Sequence, residues 1–248
     1  MRCAVADMEI IIIQFAVLVA AALQAALGVG FGVLAGPVLL LYFKSVDAVF
    51  INILLNLLIA GLLAPRLKAH RAEGIFPSLA FGTLVGLPCG VWLLNIIEFN
   101  TLQSFAGICV MLAAASIFIQ KTSGNDKPDP TGLTLLIGCV AGLMGGSLGM
   151  PGAIPAGWMA FRGYAKDTIR ATLITLCVIC YGGAILLHGV FSEMASSVFL
   201  QTLSLVPATI VGLYLGNTLT RFFSEKFFRI LIAVTLLFSA GSLFVDRL

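Results

Sequence analysis

Two stretches of small residues interrupt an otherwise oily chain: GVGFGVLAGP at 28–37 and GSLGMPGAIP at 146–155. Neither carries a charge, so the chemistry they offer belongs to the backbone. A helix that begins after such a break exposes several unpaired N–H groups, and its dipole adds roughly half a positive charge at that end. Together these attract an anion without any basic side chain. Glycine lets the backbone approach a ligand closely, and Pro37 and Pro155 suit an early helical turn, where a missing N–H costs least. The positions expected to present these amides are Gly30, Phe31 and Gly32 in the first stretch and Ser147, Gly149 and Gly152 in the second, with the Ser147 hydroxyl as an added donor.

Side chains that could line the same place follow from helical spacing. Gln24 precedes the first break. Asn52 and Asn56 are four apart after it, and Thr168, Thr172 and Thr175 follow the second break, so each set stacks on one side of a helix. Asn52, Asn56 and Thr172 are the candidates for contact with a bound anion, and hydrogen bonds to neighbouring helices are the alternative. Arg170 is the basic residue best placed for an anion; its other reading is a snorkelling interfacial arginine paired with Asp167. His188, near Glu193 at the far end of the same helix, could carry a proton, and a passive interfacial histidine is its alternative reading.

The 248-residue chain is 60% hydrophobic and 10% charged, with a mean hydropathy of +1.10, which defines an integral membrane protein. About 20 apolar helical residues cross the hydrocarbon layer, and long stretches of this kind lie near 9–27, 75–96, 101–120, 132–148, 168–187, 197–219 and 227–245. The loops leave no room for a soluble catalytic or nucleotide-binding domain, and the net charge of +3 points to no nucleic acid. No catalytic triad or metal-ligand spacing is apparent, so the sequence reads as a non-enzyme without cofactor. The six cysteines fall mostly in apolar segments, and Cys177 and Cys180, despite their CxxC spacing, read as small buried hydrophobes. Asp7 and Glu9 suit a signal peptide poorly, so an uncleaved first helix is expected.

The glycines at 28, 32 and 36, at 82, 86 and 90, and at 138, 142 and 146 recur every four residues, the small-xxx-small pattern of close helix packing. Packing is the expected role of the 82–90 series, whereas for the proline-interrupted stretches packing and ligand binding are both open readings.

The chain also repeats itself. TLVGLPCGVWL at 83–93 lies over TIVGLYLGNTL at 209–219 at a spacing of 126, as does AASIF at 114–118 over AGSLF at 240–244. At a spacing of 118, residues 28–44 lie over 146–162, pairing Gly28 with Gly146 and Pro37 with Pro155. This gives two homologous halves, 1–120 and 132–248, joined by a polar linker at 121–131. Gly/Pro interruptions at corresponding positions of two repeats are the best sequence pointer to a transporter's central site.

Charge sets the topology. If 33–43 and 152–161 turn back as short half-helices, one side collects Arg66, Lys68, Arg71, Lys121, Lys127, Arg162, Lys166, Arg170, Arg221, Lys226 and Arg229. The other side keeps Arg2, Lys44 and Arg247. Four crossings per half would divide the charges evenly and violate the positive-inside rule. The expectation is therefore an all-α polytopic membrane protein, an inverted repeat whose halves each have about four spanning helices plus a short re-entrant segment at the Gly/Pro motif, with both termini periplasmic.

These residues resemble the sulfite exporter TauE/SafE family, also called the toluene-sulfonate uptake permease family, over essentially the whole chain. Gly28, Gly30, Gly32 and Pro37 are similar to its G-x-G-G-G-x-x-x-x-P element, with Phe31 in place of the central glycine. Gly149, Met150, Pro151, Gly152 and Pro155 look like the variant GxPG form, and Arg170, Ala171, Thr172 and Leu173 look like the RATL element that follows it. The resemblance implies a secondary transporter of a small anion (sulfite, sulfoacetate or another organosulfonate) in the bacterial inner membrane, coupled to a proton or sodium gradient. A passive anion channel and a non-transporting membrane subunit are the rival readings, and the exposed apolar flanks would face lipid or further copies of the chain.

Overall fold

The computed structural model describes residues 2–43, 47–96, 111, 130–191, 196–224, 226–228, 230–235 and 237. The described residues form helices α1 (Arg2–Leu27), α2 (Phe31–Phe43), α3 (Asp47–Leu67), α4 (Phe76–Ile96), α5 (Thr131–Leu148), α6 (Ala153–Phe161), α7 (Lys166–Phe191) and α8 (Ser196–Leu219), without a strand. Among the described residues six segments are long and apolar enough to cross a membrane: Ile10–Leu27, Asp47–His70, Phe76–Leu93, Thr131–Leu148, Lys166–Gly189 and Val198–Phe222. Five of them coincide with stretches read from hydropathy. The sixth, Asp47–His70, has no counterpart among those stretches, although its apolar run is stronger than those of Phe76–Leu93 and Thr131–Leu148.

The breaks fall where the glycines are. α1 ends at Gly28, which has φ +80°, and α5 ends at Gly149, which has φ +67°. The left-handed turn lets the Gly149 N–H bond Gly145 O and the Met150 N–H bond Met144 O, each at 3.2 Å, an end that favours glycine. α2 and α6 have 13 and 9 residues, about 20 and 14 Å at 1.5 Å per residue, too short to cross a ~30 Å layer alone. Pro155 is the third residue of α6, as an early-turn proline should be, but Pro37 is the seventh of α2; Gly32, not the proline, occupies that first turn.

Close packing of glycines fixes the directions of the long helices. Methyl groups added to Gly82, Gly86 and Gly90 of α4 would overlap the backbone oxygens of Leu135, Cys139 and Leu143 of α5. Partners advance four for four, so α4 and α5 run parallel in near backbone contact, as the small-xxx-small spacing requires. α8 lies on α1 in the same way, with Gly212 and Gly216 against the oxygens of Leu18 and Ala22. Between these pairs, α3 and α7 run antiparallel: Phe50 near the start of α3 meets His188 near the end of α7, and Ala72, just after α3, meets Thr172 near the start of α7.

The outer surface is apolar. Ile11, Phe15, Phe81, Trp92, Leu136, Leu186, Leu200 and Leu203 are all more than half exposed, the pattern of a belt that faces lipid. The expected stretch 101–120 apart from Met111, most of 227–245, linker residues 121–129, and hence the AASIF and AGSLF pair, lie outside the described residues.

Candidate functional site

The two breaks meet each other inside the helix bundle. A methyl group on Gly32 would sit 2.5 Å from Gly149 O, 3.3 Å from Asn52 Nδ2 and 3.3 Å from Met150 Cγ. One on Gly149 would sit 2.6 Å from Asn52 Nδ2, and one on Gly152 would sit 3.2 Å from Val29 Cγ2. The first turn of α2 thus lies against the turn between α5 and α6, with no space for side chains between them. Gly28, Val29, Gly30, Gly32, Met150 and Gly152 line a cavity there, together with Gln24, Cys177 and Tyr181. The cavity is small, about 10 Å³, room for about one water.

Polar side chains from three helices satisfy the broken backbone. Gln24 on α1 accepts the Phe31 N–H at 3.2 Å and donates to Gly28 O at 3.3 Å and to Cys177 Sγ at 3.7 Å. One side chain therefore ties the end of α1 to the start of α2 and to α7. Across the cavity, Gly149 O accepts from Asn52 Nδ2 at 3.4 Å and from the Tyr181 hydroxyl at 2.9 Å. Asn56 Nδ2 donates to Asn52 O at 3.0 Å and to Asn52 Oδ1 at 3.2 Å, while Asn56 Oδ1 is buried without a partner.

Gln24, Gly30, Phe31, Gly32, Asn52, Asn56, Gly149 and Gly152 thus converge on one buried place. The side chains of the other three candidates are engaged elsewhere, although the Arg170 backbone packs on Gly28. The Ser147 hydroxyl donates to Leu143 O one turn back at 2.7 Å, so its proton serves its own helix. Thr172 Oγ1 accepts the Ala72 N–H at 3.0 Å, at the link between α3 and α4. Arg170 is buried and donates through Nε to Ala25 O at 2.6 Å and through Nη2 to Asn217 Oδ1 at 2.7 Å. It makes no salt bridge to Asp167 among the described residues; instead it holds the carbonyl end of α1, where the helix dipole is negative and a cation is favoured.

Tyr181 and Cys177 were missed as site residues, although a signal existed. Positions 170, 177, 181 and 188 fall within about 40° of one another around an α-helix at 100° per residue, so Arg170, Cys177, Tyr181 and His188 form one buried stripe along α7. Tyr181→Phe deletes one of the two donors on Gly149 O. It is expected to lower stability by about 1 kcal/mol, whereas Asn52→Leu, which also removes the side-chain acceptor of Asn56 Nδ2 and leaves it only the backbone oxygen, should cost about twice that. Thermal melts in detergent would separate the two.

The described residues therefore build a multi-pass membrane protein whose interior is organised around two broken helices. The family model of the sulfite exporter TauE/SafE matches residues 13–243, and the chain belongs to this family, a family of transporters. No curated protein and no solved structure matches the chain.

Proposed function

We propose that the chain is a secondary transporter that carries a small sulfur-containing anion, sulfite or an organosulfonate such as sulfoacetate, across the bacterial inner membrane by alternating access. The observation that carries this reading is the meeting of the two breaks. Gly30 and Gly32 at the start of α2 and Met150 and Gly152 in the turn before α6 line one cavity whose lining includes no basic side chain, the arrangement expected where helix starts bind an anion.

The halves 1–120 and 132–248 act as an inverted repeat around this cavity, with α2 and α6 as re-entrant arms. Support comes from the helix directions: α1 on α8 mirrors α5 on α4, and α3 is antiparallel to α7, its counterpart. Both termini face the periplasm in this reading, following the asymmetry of basic residues.

A space for about one water cannot hold a four-atom oxyanion, so substrate entry requires the breaks to separate. That favours a gated carrier over an open channel. The test is uptake of labelled sulfite and sulfoacetate into proteoliposomes, with and without a proton or sodium gradient. Accumulation above equilibrium only with a gradient is expected. Equilibration regardless of gradient would turn the reading to a channel, and no flux of either anion would overturn it.

A further inference from the structure

The two helix ends are held differently, and the difference identifies a proton site. The positive-φ glycines Gly28 and Gly149 are 121 residues apart, and at that spacing Ala25 corresponds to Gly146. Arg170 Nε binds Ala25 O. In the second half the Gly146 backbone is hydrogen-bonded by His188.

The correspondence extends to α3 and α7. Aligning Asp47 with Asp167, the acidic residues of their first turns, places Phe50 opposite Arg170. Phe50 is the ring on which His188 packs edge-on, with centroids 4.9 Å apart. Where the first half has a permanent cation at its helix end, the second has an imidazole over a phenyl ring. That imidazole is 2% exposed, and its Nε2 is buried without a partner.

Among the described residues few ionisable groups lie near it; Glu193, five residues on, lies outside them. On α3, Asp47 lies one turn from Phe50; on α5, Cys139 lies two turns from Gly146; on α7 itself, Tyr181 is two turns away. Cys89 of α4 and Tyr214 of α8 are exposed. Among the described residues none of these pairs with His188. The negative end of the α5 dipole is the charge His188 faces through Gly146, and it favours a cation.

We propose that His188 is the proton-binding residue of the transport cycle, and that its protonation and anion binding at the Gly149 turn promote each other. The inference rests on the transporter reading and supplies its coupling ion. Gly149 lies three residues beyond Gly146, about 4.5 Å along the helix axis, so a charge on His188 is felt by an anion there. Linkage is reciprocal: the bound anion raises the proton affinity of His188 as much as the proton raises that of the anion. Proton and anion then cross together, in the same direction.

The experiment compares wild type, His188→Gln and His188→Arg in proteoliposomes, each first checked as a monodisperse, folded protein. Wild type should concentrate sulfite when the outside is acidic. His188→Gln should lose that accumulation about tenfold or more while still exchanging sulfite at equal pH, and His188→Arg should exchange without responding to pH. Undiminished pH-driven accumulation by folded His188→Gln overturns the proposal, as does joint loss of accumulation and exchange. A second readout needs no sulfite: the melting temperature of wild type should change between about pH 5 and 8, the usual histidine range, and that change should shrink in His188→Gln. Superimposable profiles overturn the proton site even if sulfite flux fails and the transporter reading falls separately.

Discussion

Replacing Gly32 by alanine is expected to cut anion flux about tenfold or more while leaving the protein folded, an overpacking cost of roughly 1–3 kcal/mol placed on the state in which the breaks touch. The added methyl would lie 2.5 Å from a backbone oxygen, Gly149 O. That oxygen cannot swing aside as a side chain could, because Asn52 and Tyr181 both hold it. The matched control is Gly36→Ala, one turn further along α2, whose methyl would meet Met150 Cε at an ordinary 3.4 Å. Flux assays on the two variants should differ sharply. Equal flux would mean that contact between the breaks plays no part in transport.

The largest effect on stability is expected at Gly86. A methyl there would overlap Cys139 O, with Cys139 C at 2.8 Å and Cα at 2.9 Å, so α4 and α5 must separate along their whole contact. Gly86→Ala should cost about 3 kcal/mol or more, at the upper end of overpacking penalties. Gly61→Ala on α3, where nothing lies within 4 Å of the new methyl, should be neutral or stabilising by up to about 1 kcal/mol from helix propensity. Melting in detergent and the yield of monodisperse protein measure both. A stable Gly86→Ala variant would contradict the close parallel packing of α4 on α5.

Much of this architecture could be read from residue spacing because the membrane leaves few alternatives. Backbone groups in hydrocarbon must be paired within helices, so apolar length finds the spans and glycine finds the breaks. The short helices 31–43 and 153–161 lie close to the segments inferred from charge and proline. The register of the proposed repeat was less legible. Matching Gly28 with Gly146 and Pro37 with Pro155 gives a spacing of 118, whereas the helix ends at Gly28 and Gly149 give 121. Residue identity rewards shared glycines and prolines; the backbone aligns the left-handed turns that end α1 and α5.

The polar residues were harder to rank. Thr172 and Thr175 make an attractive face on paper, but Thr172 serves the link after α3, and Thr175 Oγ1 bonds Ala171 O in its own helix at 2.8 Å. Local back-bonding of hydroxyls leaves no trace in spacing. Tyr181 and His188 repeat in phase with Arg170, yet the apolar residues between them hide the stripe. That Arg170 caps α1 could not be read at all, because Ala25 and Asn217 are brought to it only by the tertiary packing of α1, α7 and α8.

The central claim is that backbone amides at the paired breaks bind the anion, and the most direct measurement is a structure determined with sulfite present. The account predicts the oxyanion between the first turn of α2 and the turn before α6, within about 3 Å of amide nitrogens near Gly32 and Gly152, with the breaks moved apart to admit it. Sulfite bound away from both breaks, with Gly32 still seated on Gly149, would contradict it.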